Sequence, residues 1–109
     1  MGPQLSVVHC EDDPGHVVVA GEIDICTARY LHSSLCRAVE MAGEPGAVVT
    51  VDMSAVTFID GRGLRVLAVA DAYAYVRGVR MVFTSVPVRI IRLLRITGLT
   101  PSCLDSKLR

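Results

Sequence analysis

The residues able to do chemistry are few, and their spacing narrows what they can do. Four cysteines stand at Cys10, Cys26, Cys36 and Cys103, and three histidines at His9, His16 and His32. No cysteine pair has the two-residue gap of a zinc ribbon or a dithiol redox motif, and no histidine pair falls into the spacing of a metal site. The thiols therefore read mostly as buried structural residues, with a cysteine-gated redox response as a minor alternative. More telling is Asp60-Gly61-Arg62-Gly63, followed by Arg65. A planar guanidinium between two glycines suits a carboxylate or phosphate partner, and glycines leave backbone N–H groups open to an anion. The same glycines equally serve a turn. Glu22 and Asp24 close a β-branched run, where Asp24 can cap the next helix. No nucleophile–base pair or phosphate loop is present, so the pattern points to binding and not to catalysis or a cofactor.

The elements that position these residues follow from periodicity. Leu5 to Cys10 and His16 to Ile23 read as two strands around the turn Glu11-Asp12-Asp13-Pro14-Gly15, an antiparallel hairpin. Asp24 or Thr27 then caps a helix reaching about Ala42, in which Ala28, Leu31, Leu35, Ala38, Val39 and Ala42 form a stripe, and Gly43-Glu44-Pro45-Gly46 stops it. Ala47 to Met53 has the length of a short buried strand, with Thr57-Phe58-Ile59 leading on to Asp60. A second, Ala-rich helix runs through Leu64, Leu67, Ala68, Ala70, Asp71, Ala74 and Tyr75 to Arg77-Gly78, and Met81 to Thr84 is a further strand. Pro87 suits the first turn of a third helix, which ends at Thr97-Gly98 with Pro101 beyond. The order is ββαβαβα. It predicts an α/β fold with a mixed sheet of four to five strands and helices mainly on one face.

With 109 residues, about half of them apolar and none of them Trp, one domain over residues 1–109 is expected, built around Val, Leu, Ile and Ala. The formal charge is zero, yet nine acidic residues and two arginines precede residue 61, while nine basic and two acidic residues follow it. In so small a domain the halves interleave, which predicts a mixed surface. Arg89, Arg92 and Arg95 lie opposite Ile90, Ile91, Leu93 and Leu94 on the third helix, a solvated basic edge; nucleic acid is not expected, since no aromatics interleave to stack on bases. The start Met1-Gly2-Pro3-Gln4 lacks the basic and apolar regions of a secretory signal, and no apolar run approaches the roughly 18 residues of a membrane span. A cytoplasmic chain with reduced thiols is the expectation.

Three segments resemble a known family. Gly21-Glu22-Ile23-Asp24-Ile25-Cys26-Thr27-Ala28 is similar to the G-E-[LI]-D-x-x-[TN]-[AS] stretch of STAS domains. The run from Val51 through Asp52-Met53-Ser54 to Phe58-Ile59-Asp60-Gly61-Arg62-Gly63-Leu64 resembles the D-[LM]-S-x-V-x-[FY]-[IM]-D-S-[ST]-G-L signature of anti-sigma-factor antagonists. Val88 to Leu99 resembles the family's last long helix. The resemblance implies a STAS-like fold and a partner switch: docking to an anti-sigma factor, a GHKL-type kinase-like protein, controlled by phosphorylation of a Ser or Thr before the glycine. It implies partner contacts at Glu22, Asp24, Thr27, Asp60, Gly61, Arg62, Gly63 and Arg65. A scaffold subunit of a stress-signalling assembly, including a homo-oligomer, is the other role the family suggests. The phosphoacceptor position holds Arg62, which has no hydroxyl, so the usual switch cannot operate there. Arg62 is then either a solvated relic or a basic docking point. Ser54 and Thr57 are weak substitute acceptors.

Overall fold

The computed structural model describes residues 4–97. It contains β1 (Leu5–His9), β2 (His16–Ile23), α1 (Ala28–Ala42), β3 (Val48–Ile59), α2 (Gly61–Val76), β4 (Arg80–Thr84) and α3 (Val88–Thr97), the expected order ββαβαβα. Gly98, Leu99, Pro101 and Cys103, which entered the sequence reading, lie outside the described residues. The four strands form one sheet in the order β1-β2-β3-β4. β1 and β2 pair antiparallel, as the hairpin turn requires, while β2–β3 and β3–β4 pair parallel across α1 and α2. Each strand turns one set of side chains inward: Leu5 and Val7, Val17 and Val19, Val49 and Val51, Met81 and Phe83. These join Leu31 and Leu35 of α1, Leu64 and Leu67 of α2, and Ile90, Ile91 and Leu94 of α3 in one apolar cluster. The helices therefore lie on one face. On the other face Val8 is 57% exposed.

Three sequence expectations need correction. The third strand does not end at Met53; it continues for twelve residues to Ile59. Two bulges explain the error. Val18 and Ala20 of β2 pair with Asp52 and Ala55, and Gly21 and Glu22 with Val56 and Phe58, so β3 gains a residue twice. The inward set consequently steps Val49, Val51, Met53, then Val56 and Ile59, a slip from period two to three that reads as a break. The Asp52 carboxylate accepts from the Ser54 N–H at 2.9 Å and holds the first bulge. Second, Leu93, placed with Ile90, Ile91 and Leu94 on the apolar side of the third helix, is 38% exposed and faces solvent. Third, the Arg89 guanidinium is not simply solvated, because it donates to the Thr57 carbonyl at the second bulge and ties α3 to β3. Pro87 sits just ahead of α3, where its carbonyl accepts the first helical bonds from Ile90 and Ile91.

Candidate functional site

The parallel strands β2 and β3 end side by side, and the chain leaves each of them directly into a helix. The Asp60 N–H donates to the Ile23 carbonyl at 3.1 Å, so the Asp24–Thr27 turn and the Asp60–Gly63 turn are fastened at one end of the sheet. Glu22, Asp24, Thr27, Asp60, Gly61, Arg62, Gly63 and Arg65 are thereby gathered on adjoining turns. Ser54 and Thr57 are not part of that cluster; both are exposed at the bulges of β3.

Each turn is set by a short side chain. Asp24 Oδ1 accepts from the N–H groups of Cys26 at 2.8 Å and Thr27 at 3.1 Å, closing the turn that leads into α1. Thr27 stands at the N-cap position, yet its hydroxyl points back to the strand. It accepts from the Asp24 N–H and donates to the Glu22 carbonyl, both at 2.9 Å. Thr27 is buried and structural, and Asp24 is half-buried and engaged. Asp60 caps α2 by accepting from the Gly63 N–H at 3.0 Å.

The two glycines differ. A Cβ on Gly63 would stand 2.4 Å from Ile23 Cγ2 and 2.7 Å from Ile59 Cγ1, so Gly63 lets α2 press against the ends of β2 and β3. A Cβ on Gly61 would meet nothing within 4 Å. Between them Arg62 is exposed, as are Glu22 and Arg65. Neither helix has an acidic side chain within its first turn, and the carboxylates that stand just ahead of them, Asp24 and Asp60, offset the positive ends of α1 and α2.

An open cleft of about 480 Å³ runs between the two helices from this end. Its walls are Ile25, Ala28, Arg29 and His32 on one side and Arg62, Arg65, Val66 and Val69 on the other. Sequence reasoning singled out Arg62 and Arg65 and missed the rest. Ile25 is 63% and Val69 45% exposed, although their residue types suggest core. The available signal was the matched spacing 25/28/29/32 and 62/65/66/69, a helical stripe on α2 and, on the other side, the start of α1 with Ile25 of the turn before it.

The thiols do not converge on a site. Cys10 and Cys36 are half-buried and Cys26 is exposed, so none of the three described cysteines is fully buried, which corrects the expectation of mostly buried thiols; all three are free. Burial, then the nearby Glu40 carboxylate, pushes the Cys36 thiol up from its ordinary value. Its Sγ lies 3.6 Å from His32 Nε2. Farther along the helix pair, Tyr73 donates to Glu40 at 2.9 Å and carries Arg77 over its ring. Among the described residues no cluster of three or more potential ligands could hold a metal, and no helix is long and apolar enough to cross a membrane.

A mixed four-stranded sheet with helices on one face and paired turns at the ends of its parallel strands defines the class: an α/β domain with its polar end built from strand-to-helix turns. Residues 6–104 match the family model described as Mlab, STAS domain, and the chain belongs to that family. Among solved structures it is similar to an anti-sigma factor antagonist from Mycobacterium paratuberculosis, with 28% identity, a TM-score of 0.64, and coverage of 96% of this chain and 89% of that one. It also shares its fold with the anti-sigma factor antagonist SpoIIAA in its unphosphorylated form, at 11% identity and a TM-score of 0.63, covering 94% of this chain and 87% of that one. A search of curated proteins found no match.

Proposed function

We propose that this STAS domain is a non-catalytic regulator that docks to an anti-sigma factor, or a related GHKL-type kinase-like protein, through the adjoining turns at Asp24 and Asp60, and that it does so without a phosphate switch at position 62. The observation that carries the reading is the fastening of those turns by the Asp60–Ile23 hydrogen bond, which leaves Arg62 exposed at the second position of α2. By the family resemblance, a hydroxyl belongs there. A phosphate adds roughly −1.5 to −2 charge at such a position and breaks a packed contact by repulsion and desolvation. Arg62 cannot carry one, so docking is constitutive or governed by another signal. The domain works in the cytoplasm, as a single unit.

The test is direct. Mixed with a GHKL-type anti-sigma kinase and ATP, the wild-type chain binds and stays unmodified, whereas Arg62→Ser acquires phosphate. Absence of binding by both proteins sinks the reading; phosphate on the wild type shows that another hydroxyl, with Ser54 and Thr57 first to be checked, has taken the role.

A second reading, a scaffold subunit or homo-oligomer, draws on the uncovered sheet face with its exposed Val8 and Val48. Light scattering of the free chain separates the two: a stable oligomer favours the scaffold.

A further inference from the structure

We infer that the cleft between α1 and α2 is the seat for an acidic amphipathic helix of the partner protein. The inference rests on the docking reading and states the chemistry of what docks.

Three observations converge. The first is geometric. One wall is a helical stripe on α2 at i, i+3, i+4 and i+7, residues 62, 65, 66 and 69; facing it are Ala28, Arg29 and His32 on the first turns of α1, with Ile25 of the preceding turn at the same spacing. That pattern is the face a packed helix pair offers to a third helix, whose ridge sits in the groove between them. A stripe from i to i+7 spans about 10 Å of axis, which matches about two turns of a guest helix.

The second is the composition of the walls. Ile25, Ala28, Val66 and Val69 supply apolar surface, and Ile25 and Val69 are about half exposed or more, 63% and 45%. An apolar ridge on the guest would cover them. An extended or wholly polar ligand would leave them wet.

The third is charge. Arg29, Arg62 and Arg65 rim the cleft with His32, and no wall residue is acidic. No hydrogen bond or ion pair ties the three arginine side chains to another described residue. The nearest acids by sequence, Asp24 and Asp60, are already occupied by backbone N–H groups of their own turns. A guest with glutamates flanking its apolar ridge is complementary to every one of these features; a basic guest meets repulsion on both walls. Arg62 thus takes an active part. Where a hydroxyl would offer a place to switch docking off, its guanidinium sets the sign of charge the site accepts.

The experiment uses the full chain with isotope-labelled methyl groups. The probe is a synthetic helical peptide of roughly three turns, leucine along one face and glutamate on the other, and its control replaces every glutamate by lysine. The glutamate peptide should shift the methyl signals of Ile25, Val66 and Val69 saturably, and the lysine peptide should not. Raising ionic strength from roughly 0.05 to 0.5 M should weaken the binding severalfold. The double variant Arg29→Glu, Arg65→Glu should lose about tenfold or more in affinity for the glutamate peptide and gain for the lysine peptide. Both sites are exposed, and an unchanged melting curve shows that the variant is folded. Equal binding of the two peptides, shifts confined to other methyls such as Val8, no binding at millimolar peptide, or self-association that buries these methyls in the free chain overturns the inference. Failure of an anti-sigma kinase to bind, with the glutamate helix still seated in the cleft, would instead point to a partner outside that class.

Discussion

Gly63 should be the least replaceable residue of the α2 turn, and its neighbour Gly61 among the most tolerant. In Gly63→Ala the new methyl would lie 2.4 Å from Ile23 Cγ2, 3.1 Å from Ile23 Cβ and 2.7 Å from Ile59 Cγ1. Neither isoleucine can step aside. Ile23 is fully buried and Ile59 nearly so, at 0% and 5% exposure, and a β-branched side chain has little freedom at χ1. The helix must back away from the strand ends by about an ångström, or the side chains must leave their rotamers. Overpacking of this kind costs about 1–3 kcal/mol. Alanine recovers up to about 1 kcal/mol of helix propensity relative to glycine, less near a helix start. The net loss is therefore about 1–2 kcal/mol, a fall in Tm of roughly 5–15 °C for a domain of this size. Gly61→Ala meets nothing and should leave stability unchanged or raise it by up to about 1 kcal/mol, with Tm unchanged or slightly higher. Thermal and urea unfolding followed by circular dichroism measure both. Ile23→Leu removes Cγ2 and should recover part of the Gly63→Ala loss, a coupling visible in a double-mutant cycle. If Gly63→Ala is as stable as Gly61→Ala, close packing is not the reason for that glycine.

Two further outcomes can be checked on the same samples. Thr27→Val leaves the Asp24 N–H and the Glu22 carbonyl without the hydroxyl that serves both, and should cost about 1–3 kcal/mol in urea unfolding, with Thr27→Ser retaining most of it. Among Cys10, Cys26 and Cys36, Cys26 should react first with a thiol reagent and Cys36 last, because Cys26 is exposed while burial and Glu40 keep Cys36 protonated. The same shift has a pH signature. Cys36 holds its proton more tightly folded than unfolded, as Tyr73 does through its hydrogen bond to Glu40. Their contribution to stability is intact below the ordinary thiol value of 9.0 and is lost as pH rises through the higher folded values, so urea midpoints should fall above about pH 9 and fall less in Cys36→Ala.

Much of the fold was legible because its signals are local. The Pro14-Gly15 turn fixes the first hairpin, the α1 stripe from Leu31 to Val39 goes where it points, and Gly43, at φ +75°, ends the helix as a left-handed residue does. The sequence misled where two strands negotiate register. Met53 to Phe58 has no steady alternation because β3 bulges twice against β2, and a bulge is a property of the pair. Arg89 belongs to the same lesson: nothing in its own helix says that it will find the Thr57 carbonyl.

The site was legible in its turns and hidden in its walls, for a physical reason. Asp24, Asp60 and the glycines announce strand-to-helix turns by type and spacing, whether or not anything docks there. The cleft residues lie next to the core stripes on both helices: 28 and 32 beside Leu31 and Leu35, and 66 and 69 beside Leu67 and Ala70. A shift of one residue is about 100° of rotation, so Ala28 on α1 and Val66 and Val69 on α2 widen the apolar arc of each helix beyond what one sheet can cover. An arc that is too wide is the trace a second packing surface leaves in a sequence. On α2 that excess is bounded by Arg62 and Arg65, so the apolar surplus and the positive charge belong to one surface. Arg62 is the first residue of that stripe, at the second position of α2.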